Sequence, residues 1–72
     1  MLFTLICYSP SRVEIGSEDG HHFAFDVVSR AGQRAIVLSS THWRDNQPGN
    51  VPFIIEHAHR FAAVCALDCG LM

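Results

Sequence analysis

The chain contains no lysine. Its five basic residues are arginines at positions 12, 30, 34, 44 and 60, spread along the sequence and outnumbered by seven acidic residues for a formal charge of −2. Proteins that hold nucleic acid present a clustered basic footprint to the phosphates, and this chain has none, so nucleic acid is an unexpected partner. Lack of lysine also accompanies GC-rich coding and points to a bacterial or phage source. Cysteine is scarce as well: Cys7, Cys65 and Cys69, an odd number without a C-x-x-C pair. That pattern suits a reducing compartment better than a disulfide framework, and the expected location is cytoplasmic. No apolar run approaches the ~20 residues of a membrane span. The apolar start, MLFTLIC, lacks the basic flank of a signal peptide and is too short for one.

Catalytic fingerprints are missing too. There is no G-x-S-x-G, H-E-x-x-H, P-loop or dinucleotide motif. Ser39-Ser40-Thr41-His42 sets hydroxyls beside an imidazole, but adjacent residues on a strand point to opposite faces. Asp26 lies between apolar neighbours and would act as a base only if buried; the ordinary place for such a residue is the solvent face of a sheet. The expectation is a non-enzyme with no catalytic residues, no metal and no cofactor.

What is present in quantity is apolar surface. Of 72 residues, 49% are hydrophobic, at the top of the usual range, in a chain long enough for one domain, residues 1–72. A chain this short buries only about 60% of the surface its unfolded form exposes, so such folds lean on a staple or a partner. Homodimerisation or docking to another protein is therefore expected.

The pattern along the chain is β-β-β-β-α: an α+β domain with an antiparallel meander of three to four strands and one long C-terminal helix packed on one face. Met1 to Ser9 reads as a strand with apolar groups on both sides, Leu2, Ile6 and Tyr8 on one and Phe3, Leu5 and Cys7 on the other. Such a strand is expected to be covered on both faces, as at a dimer seam. Pro10 ends it. Arg12 to Gly16 is a short strand, and Glu18-Asp19-Gly20 a turn. His22 to Ser29 alternates Phe23, Phe25 and Val27 against Ala24, Asp26 and Val28. After the turn Arg30-Ala31-Gly32-Gln33, a strand follows over Arg34 to Ser40, and Thr41 to Gly49 is a polar loop. The helix spans Asn50 to Cys69, with Asn50 as N-cap, Pro52 in the first turn and Gly70 as terminator. Its core stripe is Val51, Ile54, Ile55, Ala58, Phe61, Ala62, Cys65 and Cys69.

The run VEIGSEDGHHFAFDVV, followed by a glycine turn, IVLSS, an aromatic and a helix, resembles the YegP-like family of small bacterial proteins of unknown function. Asp19-Gly20, Phe23, Phe25, Gly32, Ile36, Ser39 and Trp43 fill that family's hairpin, F-x-F, turn and strand positions across residues 13–61. The match needs an insertion near Arg34 and lacks the family's Lys-rich loop and small-residue helix start. It implies the same β-hairpin and helix topology.

Three functional classes fit. The favoured one is a small non-enzymatic protein–protein interaction module, dimeric, that binds or inhibits another protein, such as a phage- or mobile-element-encoded inhibitor of a bacterial defence or regulatory protein. Its candidate partner-binding residues are Trp43, Arg44 and Asp45 in the loop and Phe53, Arg60, Val64 and Leu67 on the helix. Trp and Arg are the types most enriched at interface hot spots. Trp43 has an alternative place, folded back over a sheet edge or the helix start. Phe53, Val64 and Leu67 form a second apolar strip opposite the core stripe, beside the i, i+4 pair Glu56 and Arg60. The second class is a nucleic-acid-binding sheet and helix. The third is a zinc or thiol-redox module in which Cys65 and Cys69 share a helix face and His21-His22 completes a tetrahedron; buried core cysteine is the plain alternative. His57 and His59 stand about 200° apart on the helix and cannot chelate one ion together.

Overall fold

The computed structural model describes residues 2–45 and 47–72. Four strands, β1 (Phe3–Ser9), β2 (Arg12–Ser17), β3 (His22–Arg30) and β4 (Gln33–His42), precede one helix, α1 (Val51–Asp68). The strands pair antiparallel in sequence order, so β1 and β4 are the edges. The expected α+β meander with its C-terminal helix is what forms. The Cα extents of 38 × 21 × 15 Å leave room along the short axis for only two layers, the sheet and α1.

Side-chain alternation decides which face of the sheet meets the helix. On β2 and β3, Val13, Ile15, Phe23 and Phe25 point to α1 and are the largest fully buried side chains. The helix meets them with small residues: Ile54, Ala58, Ala62 and Ala66 form its buried row, four residues apart. Three alanines in one row let the helix axis lie close over the phenylalanines, so bulk on the sheet fills space that the helix leaves open. Ala66 falls outside the expected stripe, and Cys65 and Cys69 are half-buried at its margin. Asn50 sits at the N-cap, but its side chain makes no capping bond; only its carbonyl accepts, from Ile54 N–H at 3.1 Å. Pro52 occupies the first turn, as expected.

The helix ends as Gly70 predicts. With φ of 76°, Gly70 donates to the Leu67 carbonyl at 3.1 Å, and Leu71 N–H reaches back to Ala66 at 2.8 Å. This paired arrangement satisfies two of the last carbonyls and needs a left-handed residue at its centre. It also turns Leu71 into the core, and Arg34 Nη1 on β4 donates to the Leu71 carbonyl at 2.9 Å.

Two strands depart from strict alternation. On β1, Leu5 pairs with Ile15 and Cys7 with Glu14, leaving Ile6 as an inserted residue. Every side chain beyond a bulge changes face relative to plain alternation. Cys7 therefore joins Glu14 on the face away from α1, not Phe3 and Leu5 as expected, and Tyr8 swaps to the helix side opposite Val13. Within the chain β1 is an edge strand with Leu2, Ile6 and Tyr8 exposed, so it is not covered on both faces. On β4, Phe25 pairs with Leu38 and Ala24 with Ser40, with Ser39 inserted. β4 also runs on through Thr41 and His42, which pair with Phe23 and His22 and shorten the expected loop.

Candidate interaction surface

The outer face of α1 carries the most exposed apolar groups of the helix. Phe53, Val64 and Leu67 keep 64%, 55% and 59% of their surface in solvent. Together with His57 and Arg60 they follow one another at intervals of four, three, four and three residues. At 100° per residue these five fall within about 80° of the circumference, directly opposite the alanine row. Spacing of this kind is the seam along which one helix packs against another. From Phe53 to Leu67 the strip runs about 21 Å.

Polar groups on the strip are tied locally. Arg60 Nη2 donates to Glu56 Oε1 at 2.9 Å, the expected i, i+4 pair, largely solvent-exposed and worth a few tenths of a kcal/mol. The His57 ring lies nearly parallel to that of Phe53, 6.1 Å between centroids. Beside them, Phe3 of β1 with Asn50, Phe53, Ile54 and His57 lines a cleft of about 180 Å³. The apolar strip thus continues at its N-terminal end into a depression large enough for one side chain.

The Trp43 loop is arranged differently. Trp43 is half-buried, with its ring edge-on to His21 at 4.9 Å and to Phe23 at 5.5 Å. It folds back over the end of the sheet, the alternative place given for it above, while Arg44 and Asp45 are exposed. The fastening is His21, the one buried polar residue among those described. Its backbone N–H donates to Ser17 Oγ at 3.1 Å, its carbonyl accepts from Ser17 N–H at 2.9 Å, and its Nδ1 accepts from Arg44 N–H at 3.1 Å. A backbone N–H only donates, so Nδ1 is the bare nitrogen of the ring. The sequence offers His21 only as a metal ligand beside His22, because nothing local marks a histidine as buried. Gly20, with φ of 88°, completes the turn; a Cβ there would meet Arg44 Cδ at 2.6 Å. The structure therefore separates Trp43, Arg44 and Asp45 from the helix strip as a second, firmly held corner.

His59 is exposed yet engaged at the rim of the fold. Its ring lies edge-on to Phe25 at 5.7 Å, and its Nε2 is 3.0 Å from the Ile36 carbonyl on the outer edge of β4. That bond closes part of an open strand edge.

The cysteine and histidine cluster of the zinc reading does not assemble. Cys65 and Cys69 lie on the helix layer, His21 is engaged with Arg44, and His22 is on the far face of the sheet. Among the described residues no three His, Cys, Asp or Glu side chains converge on one point. Burial, helped by Cys69 and Asp68, raises the Cys65 thiol above its ordinary pKa. Cys7 is exposed, and its Sγ donates to Glu14 Oε2 at 3.1 Å; that hydrogen bond, then a small desolvation and the carboxylate's charge, raise its pKa as well. Both thiols are thus held away from the reactive thiolate form. Asp26 faces Arg12 at 4.0 Å on the partly exposed outer face.

No helix among the described residues is long and apolar enough to cross a membrane. Comparison with protein-family models, with curated proteins and with solved structures finds no match. The YegP-like resemblance accordingly rests on the residues quoted for it and on nothing further.

Proposed function

We propose that this protein is a non-enzymatic interaction module that forms a homodimer through the outer face of α1 and, as a dimer, binds or inhibits another protein. The observation that carries the reading is the exposed strip Phe53, His57, Arg60, Val64 and Leu67, set opposite the alanine row. A helix with apolar groups on its solvent side, at seam spacing, matches one with a second helix against it. A two-fold axis near Arg60 would set Phe53 of each copy opposite Leu67 of the other. Glu56 would stay beside Arg60 in both copies, so that neither arginine enters the contact unneutralised. The exposed Arg44 and Asp45, fixed on the Trp43 corner, are then available to a target.

The arginines offer little to the nucleic-acid alternative. Arg12 faces Asp26, Arg60 holds Glu56 and Arg34 binds the Leu71 carbonyl. An inhibitor of a bacterial defence or regulatory protein remains the favoured biological setting.

Light scattering on the purified chain tests the dimer. The expected mass is twice the 8.0 kDa of one chain, falling to a single chain in a Val64→Gln/Leu67→Gln variant that stays folded. A wild-type monomer at the highest attainable concentration would sink the proposal. The target-binding part is tested by capture from a host lysate with wild type and an Arg44→Ala/Asp45→Ala variant; a specific protein lost only with the variant is expected.

A further inference from the structure

On the face of the sheet away from α1, His22 of β3 and His42 of β4 are direct cross-strand partners. Their ring centroids are 6.3 Å apart. We propose that these two imidazoles form an open chelating site for a late first-row divalent metal ion of the Zn²⁺ or Ni²⁺ type.

Geometry carries the inference. Metal–nitrogen bonds of about 2.0–2.1 Å put the ring centroids of two imidazoles sharing a tetrahedral ion roughly 5 Å apart. The observed pair is about 1 Å wider, a difference that small rotations about χ1 and χ2 close, and both side chains are exposed and able to make them. Directly opposed residues on one sheet face have their Cβ atoms fixed at close range, so the backbone has already brought the ligands together.

The setting is a depression rather than a flat sheet. Ile6, Glu14, His22, Ala24, Ser40 and His42 line a hollow of about 210 Å³ floored by the small side chain of Ala24. Glu14 adds a carboxylate and Ser40 a hydroxyl within the hollow. With only two protein ligands, the remaining coordination positions belong to water or to a donor brought by another molecule. Imidazole nitrogen suits Zn²⁺ and Ni²⁺, while Mg²⁺ demands oxygen ligands in octahedral array.

The other three histidines supply no equivalent pair. His21 has its Nδ1 engaged by Arg44, His57 stacks on Phe53, and His59 faces the Ile36 carbonyl. The inference is independent of the dimer reading, because the His22–His42 hollow and the α1 strip lie on opposite faces of the fold.

Calorimetric titration of the tag-free protein with Zn²⁺, Ni²⁺ and Mg²⁺ in a non-coordinating buffer is the test. One Zn²⁺ or Ni²⁺ per chain and no Mg²⁺ is the expected result. His22→Ala or His42→Ala should weaken binding by about 100-fold, since the second imidazole acts at high effective concentration. His59→Gln, which lies outside the proposed dimer strip and keeps a donor for the Ile36 carbonyl, should leave it unchanged. Far-ultraviolet circular dichroism checks that each variant is folded; both residues are exposed, so the fold does not depend on them. Absence of saturable binding, survival of the site in the His22→Ala/His42→Ala double variant, or its loss in His59→Gln would each overturn the proposal.

Discussion

Replacing His21 by alanine should loosen the Trp43 corner and lower the stability of the whole domain. The substitution removes the acceptor for Arg44 N–H and the ring against which Trp43 packs edge-on at 4.9 Å. One hydrogen bond contributes about 0.5–1.5 kcal/mol net. An aromatic contact of this kind adds about 0.5–1.5 kcal/mol beyond area burial. With the lost burial of a side chain only 8% exposed, the loss comes to about 2–3 kcal/mol. A chain of 72 residues has roughly 4–11 kcal/mol in total, so this is a large fraction. In a domain of this size it corresponds to a fall in melting temperature of about 10–20 °C. Trp43 is the only tryptophan, so its emission reports the corner directly while circular dichroism reports the fold. Expected are a lower melting temperature and red-shifted emission in His21→Ala, with partial recovery in His21→Asn, whose amide oxygen takes the place of Nδ1. A His21→Ala protein that melts with wild type and keeps its emission would refute the reasoning. Shifted emission with unchanged melting would show that the corner is ornamental to the fold.

Ala31 has φ of 51° in the two-residue turn joining β3 to β4, a conformation costing an alanine about 1–2 kcal/mol, so Ala31→Asn should raise the melting temperature by several degrees in thermal denaturation. At the helix end, Gly70→Ala should lose about 1–2 kcal/mol in urea titration for the converse reason, since a Cβ there meets nothing and only the conformation resists. For Cys7, alkylation rate against pH should give a midpoint above that of an ordinary thiol, because Glu14 accepts from the protonated form and repels the thiolate. Removing that carboxylate in Glu14→Gln should move the midpoint down. The linkage has the matching sign: a thiol pKa raised by folding favours the folded state below the ordinary thiol pKa of 9.0, and that contribution is lost as pH rises through the folded value. Midpoints that coincide in wild type and Glu14→Gln would contradict the hydrogen bond.

Much of this protein follows from local rules that act within a few residues. Alternation in HFAFDVV, the Asp19-Gly20 and Ala31-Gly32 turns, Pro52 early in the helix and Gly70 after it specify strands, hairpins and helix ends, because each depends on the backbone freedom of its own residues. The outer strip of Phe53, Val64 and Leu67 was legible for the same reason, since helical spacing alone sets it opposite the core.

Only the tertiary structure decided the rest. An inserted residue at Ile6 leaves no mark in composition, yet it moves Cys7 across the sheet to Glu14 and brings Tyr8 to the helix side. Ala66 enters the core because close packing over Phe23 and Phe25 favours small side chains, which hydrophobicity ranks low. His21, His59 and the His22–His42 pair acquire their surroundings from segments about twenty residues away, and burial and cross-strand register are properties of the assembled chain alone.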